Sequence, residues 1–302
     1  MAGTQDFAPD ARNSDVHVYL NGEFVHRDEA KVSIFDSGFI LGDGIWEGFR
    51  MHGGRLAFME RHLDRLFMGA RAIDMDIGLT RDAVKDALRA TLERNDMDGA
   101  EGVHVRLMVT RGLKKTPNQD PRHTISKATV VIVPEFKVAD PAVLQTGLKL
   151  FTSAVRCSRA DMFDMRLNSH SRLNLIIALI QAIKAGADEA LMLDDRGYVS
   201  SCNATNFFIV KDGAVMTSTG TSCFNGITRA NVIEVCALNG IRCDQRDFTL
   251  SHVYDADEVF VTGSFGGLTP VSAVDGRRVA KVFGPVTTRL RALYLEYAKT
   301  AE

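Results

Sequence analysis

Residues 189–213, EALMLDDRGYVSSCNATNFFIVKDG, decide how this chain is read. EALMLDD and NFFIVKDG are short apolar runs bounded by Asp, Asn and Gly, which is the signature of strands, and the second closes on an Asp212-Gly213 turn. Upstream, a helix spanning roughly 170–185 is expected to end at Gly186, a residue type suited to a C-cap. Downstream, a second helix follows Thr228 and stops near Gly240. The strand DEVFVTGS (257–264) then runs into a turn of small residues, and VTTRLRALYLEYAK (286–299) makes a closing helix.

The N-terminal half repeats the mixture. HVYLNGEFV (17–25) alternates as a strand does and is broken by Asn21-Gly22, a strong hairpin signal. ERHLDRLFMGARAI (60–73) places Leu63, Leu66, Phe67 and Ala70 on one helical face. A second helix is expected over 81–95 with Thr80 as its N-cap. VHVRLMVTRG (103–112) and KATVVIVPEF (127–136) are strands, and Asp140-Pro141 reads as a linker. The expected organisation is α+β: a small N-terminal domain at 1–136, a linker at 137–142 and a large C-terminal domain at 143–302, with a cleft between them. The first fifteen residues read as a loose arm.

Bulk properties narrow the function classes. The 302 residues are 45% apolar and 25% charged, with a net charge of -2, so no basic field invites nucleic acid or an anionic membrane. The N-terminus is polar without an apolar signal core, and no apolar run reaches a membrane span. Five scattered cysteines without a CxxC pair suggest a reduced, cytoplasmic protein and no metal site.

Two turns are suited to an anion. Gly226-Ile227-Thr228-Arg229 opens a helix, where backbone N–H groups and the Thr228 hydroxyl face the positive end of the helix dipole. Gly263-Ser264-Phe265-Gly266-Gly267 follows an apolar strand and suits a backbone nest. Either turn also has an ordinary structural reading. A third element, His62 and Arg65, shares a helical face at i, i+3, and by itself reads as a solvated or salt-bridged surface pair.

Together with VYLNGEFV, FDSGFILGDGIWEGFR, ERHLDRL, AGADEALMLDDRGYV, NGITRANVIEV and ADEVFVTGSFGGLTPV, these pieces resemble the class IV, fold type IV, pyridoxal-phosphate (PLP) aminotransferases over about residues 17–295. That family includes branched-chain aminotransferase, D-amino-acid aminotransferase and aminodeoxychorismate lyase. The resemblance implies a two-domain fold type IV architecture and a homodimer that binds PLP or its amine form (PMP) and acts on a small amino or keto acid. It implies a phosphate cup of Arg65, Ile227, Thr228, Ser264 and Phe265, and a substrate side lined by Trp46 and Arg106. A basic loop, GLKKTPNQDPRH, would complete the partner's pocket, with Lys114, Lys115, Arg122 and His123 available for a carboxylate. A solvated basic loop is the other reading of it.

Two positions depart from the family. Its catalytic lysine lies in a segment like PRxKSxNYLN, where this chain reads MRLNSHSRLN, so Asn168 stands at the lysine position. Arg166 before it, and Leu173-Asn174 and Gly186 after it, fix the register without a gap. No lysine lies between Lys149 and Lys184, and Lys184 is sixteen residues on, roughly 24 Å along a helix. An asparagine amide is neither nucleophile nor base. Ser201 stands where the family keeps a glutamate against the pyridine nitrogen, and a hydroxyl would leave that ring neutral and a weaker electron sink. His170 is a candidate replacement base, with a buried structural histidine as its other reading; Ser169 or Ser171 would cap the helix that follows. Three functions remain compatible with these residues: a PLP- or PMP-binding transferase holding its cofactor non-covalently; a PLP-independent lyase, hydrolase or isomerase on the same scaffold; and a non-catalytic metabolite-binding pseudoenzyme.

Overall fold

A computed structural model describes residues 6–300. Their contacts divide the chain into two compact units. The first holds residues 9–138 and the short return segment Leu167–Arg172; the second holds 139–166 and 173–300, with residues 6–8.

In the first unit, strands β1 (His17–Leu20) and β2 (Glu23–His26) form the hairpin at Asn21-Gly22, where both residues take positive φ as the turn requires. Then come helix α1 (Ser37–Leu41), β3 (Gly44–His52), β4 (Arg55–Leu56), α2 (Met59–Ala72), α3 (Arg81–Arg94), β5 (Val103–Thr110) and β6 (Thr129–Phe136). The described strands order β2-β1-β6-β5-β3-β4 in an antiparallel sheet. Leu63, Leu66 and Ala70 of α2 are buried, as the periodicity predicts, and join Ile45, Phe49, Val105 and Leu107 of the sheet in one core. The Thr80 side chain caps α3 by accepting from the Ala83 amide at 3.2 Å. Of the N-terminal arm, residues 1–5 lie outside the described residues; Ala11–Asp15 form a 3-10 turn capped by the Asp10 side chain.

In the second unit, Asp140-Pro141 is a helix start: Asp140 caps α4 (Pro141–Thr146) by accepting from the Ala142 amide at 2.8 Å. There follow β7 (Leu148–Thr152), α5 (Leu173–Lys184), β8 (Glu189–Leu193), β9 (Val199–Cys202), β10 (Asn206–Lys211), β11 (Ala214–Thr217), α6 (Ile227–Leu238), β12 (Cys243–Gln245), α7 (Leu250–Tyr254), β13 (Glu258–Gly263), β14 (Gly267–Val274), β15 (Arg277–Arg278) and α8 (Pro285–Thr300). The described strands run β12-β11-β10-β13-β14-β7-β8-β9, with β15 on β14. β8 and β10 are buried along almost their whole length, which explains why their sequences are continuous apolar runs rather than alternating ones. Among the described residues no helix is long and apolar enough to cross a membrane, and no group of three or more His, Cys, Asp or Glu is placed to hold a metal ion.

Two sequence expectations are corrected. The helix expected from 170 begins at Leu173, because Asn168 and His170 hydrogen-bond to β3 through their backbone and Ser169 bridges Ile45. Neither Ser169 nor Ser171 caps it: Ser169 Oγ accepts from the Ser171 amide at 2.9 Å, and Ser171 Oγ donates to the Gly42 carbonyl at 3.2 Å. The helix expected after Thr228 begins at Ile227, with Gly226 as its N-cap.

The buried Glu258 carboxylate caps α8, accepting from the Val286 amide at 3.1 Å and the Thr287 amide at 2.8 Å. A Cβ on Gly284 would collide with that carboxylate. Gly284→Ala is therefore expected to cost about 1–2 kcal/mol, the scale of a lost cap, read as a lower urea midpoint at unchanged m-value.

Candidate functional site

Adjacent residues of a strand face opposite sides, and in β3 that alternation separates Glu47 from Trp46. Glu47 is fully buried. Its carboxylate accepts from His62 Nδ1 at 2.7 Å, from Arg65 Nε at 2.7 Å and from Arg65 Nη2 at 2.7 Å. Burial pushes this acid up, but the charge and hydrogen bonds of Arg65, with His62 behind them, outweigh it and hold Glu47 down at about 2. Burial likewise lowers His62, against the pull of Glu47, so the imidazole stays neutral beside an ionised carboxylate. His62 and Arg65 do share a face, but the surface-pair reading is corrected: both belong to a buried triad centred on Glu47, a residue outside the expected site. A charged residue inside the apolar run GIWEGF is the signal that marks it.

The return segment pairs with β3 through its backbone. Trp46 N–H donates to the Asn168 carbonyl at 2.9 Å, His170 N–H donates to the Gly44 carbonyl at 3.0 Å, and the Trp46 indole N–H donates to the Ser169 carbonyl at 3.2 Å. Asn168 is buried and both ends of its amide are engaged. Nδ2 donates to the Trp46 carbonyl, and Oδ1 accepts from Arg172 Nη2. Arg172 Nε also donates to the Ser169 carbonyl at 2.8 Å. The guanidinium of Arg106, from β5, lies 3.9 Å from the Trp46 ring centre, and that of Arg172 lies 5.6 Å from it.

His170 sits in the return segment with its ring against Gly44, and its Nε2 is buried without a hydrogen-bond partner among the described residues. Burial lowers its pKa, and Arg106 and Arg172 lower it further against a hydrogen bond to the Ile45 backbone, which keeps it neutral. Three basic groups of the 112–123 loop are spent within that loop: Lys114 is buried and donates to the Asp120 carbonyl at 3.0 Å, Arg122 pairs with Asp120 at 2.6 Å, and the His123 ring meets Asn118 at 2.7 Å.

In the second unit the two anion-suited turns lie at one end of the sheet, joined through Thr205 and Asn206. Asn206 pairs with Thr262 across β10 and β13. Its carboxamide donates to the Phe224 carbonyl at 2.6 Å and accepts from the Gly226 amide at 3.2 Å, so it holds the entry to α6. Gly226 caps α6 without any side-chain hydrogen bond, and the first amides of the helix have no intrahelical acceptor. The Thr228 side chain is buried at that end. Residues 264–266 are the tight turn between β13 and β14, closed by the Gly263–Gly267 pair; Ser264 is half-buried and Phe265 buried. Neither the Thr228 nor the Ser264 hydroxyl hydrogen-bonds a described residue. Arg229 turns inward and donates to the Ser218 carbonyl at 2.6 Å.

Ser201 is buried, and its hydroxyl donates to the carbonyls of Thr205 at 2.8 Å and Cys202 at 3.0 Å. Thr205 in turn donates to Glu189 at 2.7 Å. Burial raises Glu189 to about 7, with the Thr205 bond opposing it.

Comparison with known proteins agrees with this architecture. The family model for class IV aminotransferases matches residues 44–274. The chain is 38% identical over 290 residues to branched-chain-amino-acid aminotransferase-like protein 1 of Arabidopsis thaliana, and it spans about half (51%) of that relative's length. It is 37% identical to a putative branched-chain-amino-acid aminotransferase of Methanocaldococcus jannaschii, with 91% of this chain and 93% of that one covered. Among solved structures, a T.th. branched-chain amino acid aminotransferase with pyridoxamine 5'-phosphate superposes with a TM-score of 0.87 at 28% identity, covering 95% of each chain. The α+β expectation and its fold type IV form hold, and the chain belongs to the class IV aminotransferases.

Proposed function

We propose that this aminotransferase-family chain holds PLP or PMP by its phosphate, without a covalent bond, and acts on a small amino or keto acid. The observation that carries the reading is the pair of turns around Thr205 and Asn206, where the Thr228 and Ser264 hydroxyls hydrogen-bond no described residue beside a helix start with no side-chain cap. The residues fit a phosphate there: the Ile227 and Thr228 amides and the two hydroxyls donate, and Phe265 is buried in the turn that carries Ser264. The PMP complex of the T.th. relative supports the same choice. Bound there, the cofactor ring would supply an electron sink for the substrate's Cα–H bond.

The residues fit the amine form better than the aldehyde. Asn168 offers no nucleophile, and its amide is committed to Trp46 and Arg172. The Ser201 hydroxyl is committed to backbone carbonyls. The buried triad keeps Arg65 in one orientation. The relatives' names make branched-chain amino acids the first substrates to assay.

Calorimetric titration of the full chain is expected to show saturable binding of PMP at least as tight as that of PLP. Borohydride treatment of the PLP complex is expected to leave the chain at its unmodified mass. Gly226→Ala, whose Cβ would collide with the Asn206 carboxamide, is expected to weaken both ligands at least tenfold. Failure of either ligand to bind the unaltered chain, or a chain made heavier by reduction, overturns the proposal.

A homodimer is proposed on the same grounds. α5 exposes Leu173, Ile176, Ile177, Ile180 and Ile183, a continuous apolar stripe of the kind a second copy covers. Sedimentation as a monomer at micromolar concentration would overturn it.

A further inference from the structure

We propose that the first unit carries a further binding site, a cavity that takes an apolar monocarboxylate. The tail lies on Ile77, Leu79 and Leu113, and the carboxylate meets Lys31 and Lys127. All the lining residues fall within 19–130, and Trp46, Arg106 and Asn168 are not among them, so the inference is independent of the function proposed above.

Four stretches far apart in the sequence wall the cavity: the end of β1, residues 31–33, residues 77–79, and the base of the 112–126 loop with the start of β6. Side chains and turns fix each of them. The Asn21 amide donates to the Val130 carbonyl at 3.0 Å and its Oδ1 accepts from the Val130 amide at 2.8 Å, which ties the hairpin to β6. Arg111 donates to the carbonyls of Ile73 and Asp74 at 2.8 Å each and so anchors the chain leaving α2. Gly78 then takes a φ of +73° while its amide donates to Asp76 Oδ1 at 2.8 Å, a tight turn that carries Ile77 and Leu79 into the wall. Thr129 donates to the buried Asp36 at 2.7 Å. The enclosed volume is about 460 Å³, within the roughly 300–1,000 Å³ of small-molecule sites.

The lining combines two chemistries. Val32 is 50% exposed and Ile77 only 4%, so the apolar wall grades from solvent to core. The hydroxyls along it are used locally. Ser126 Oγ accepts from the Leu113 amide at 2.8 Å and donates to the Lys127 carbonyl at 2.7 Å, and Ser33 Oγ accepts from the Phe35 amide at 3.1 Å. The charges are not used. The lining holds Lys31 and Lys127 and no acidic side chain, and among the described residues neither ammonium has a hydrogen-bond or ion-pair partner. Two such cations beside apolar walls select an anion with an apolar body. An exposed ion pair contributes little alone, so a carboxylate without a tail gains little here. A tail without a charge buries apolar surface but leaves both lysines unpaired.

The experiment is a calorimetric titration of the full chain with octanoate, octanamide and acetate, joined to hydrogen exchange read by mass spectrometry. Octanoate is expected to bind saturably and to slow exchange in peptides covering 31–33, 77–79 and 126–130. Octanamide, which keeps the tail, and acetate, which keeps the charge, are each expected to bind at least tenfold more weakly. Lys31→Glu combined with Lys127→Glu is expected to weaken octanoate at least tenfold and to leave octanamide unchanged. Both lysines are exposed, and the corresponding glutamine pair gives the same reading should the glutamate pair fail to fold by circular dichroism. Absence of saturable octanoate binding, an equal affinity for octanamide, protection confined to peptides outside the cavity such as 44–48 and 166–172, or unchanged octanoate affinity in a folded double variant overturns the proposal.

Discussion

Replacing Glu47 by alanine is expected to destabilise the chain by about 3–5 kcal/mol, the cost of removing one partner from a buried ion pair. The Arg65 side chain is only 11% exposed and that of Glu47 not at all, so losing the carboxylate leaves a guanidinium and an imidazole in the interior with three hydrogen bonds broken. The expected readout is a fall in melting temperature of roughly 10 °C, at about 2–4 °C per kcal/mol for a chain of this size. A loss below about 1 kcal/mol in urea melts would show that the triad is not a stability element. The same group sets an acid limit. Its folded value, about 2, lies below the ordinary 4.5, so its contribution is complete above pH 4.5 and is lost as pH falls toward 2. At about 1.4 kcal/mol per pH unit it amounts to about 3 kcal/mol.

The second large effect has the opposite sign. Glu189 is buried beneath Thr205 and is raised from 4.5 to about 7. The folded chain therefore holds this proton more tightly than the unfolded chain does. The stabilisation this provides is complete below pH 4.5 and is lost as pH rises through 7, a change of about 3 kcal/mol. Glu189→Gln keeps an acceptor for Thr205 and removes the ionisation. The variant is expected to match the unaltered chain near pH 5 and to exceed its stability at pH 8. Parallel melting-temperature curves for the two proteins between pH 5 and pH 8 would refute the assignment.

The legible parts of the molecule are those determined by neighbours in sequence. The Asn21-Gly22 turn needs two positive φ values, and the residues that tolerate them announce it. The buried face of α2 and the Thr80 cap are periodic or local signals of the same kind. The start of α5 is not legible, because residues 168–170 follow pairing with β3, more than a hundred positions away, over their own helical pattern. The helix entry at Gly226 and the turn at Ser264 are legible as local structure. The meeting of distant residues is not: Glu47 finds Arg65 across 18 positions, and Asn168 finds Trp46 across 122. Asn168 stands out by its register in the sequence, but what its side chain does can be read only from what it touches.

The return segment also sets an order of assembly. The first unit takes residues 9–138 and then waits for 167–172, which supply partners to Gly44 and Trp46 on β3. During synthesis those partners remain missing until residue 172 has emerged, after the chain has already begun its second sheet. Completing the first unit is thus a late, long-range closure, and a cut made anywhere between 138 and 167 would sever the strand from the peptide that finishes it.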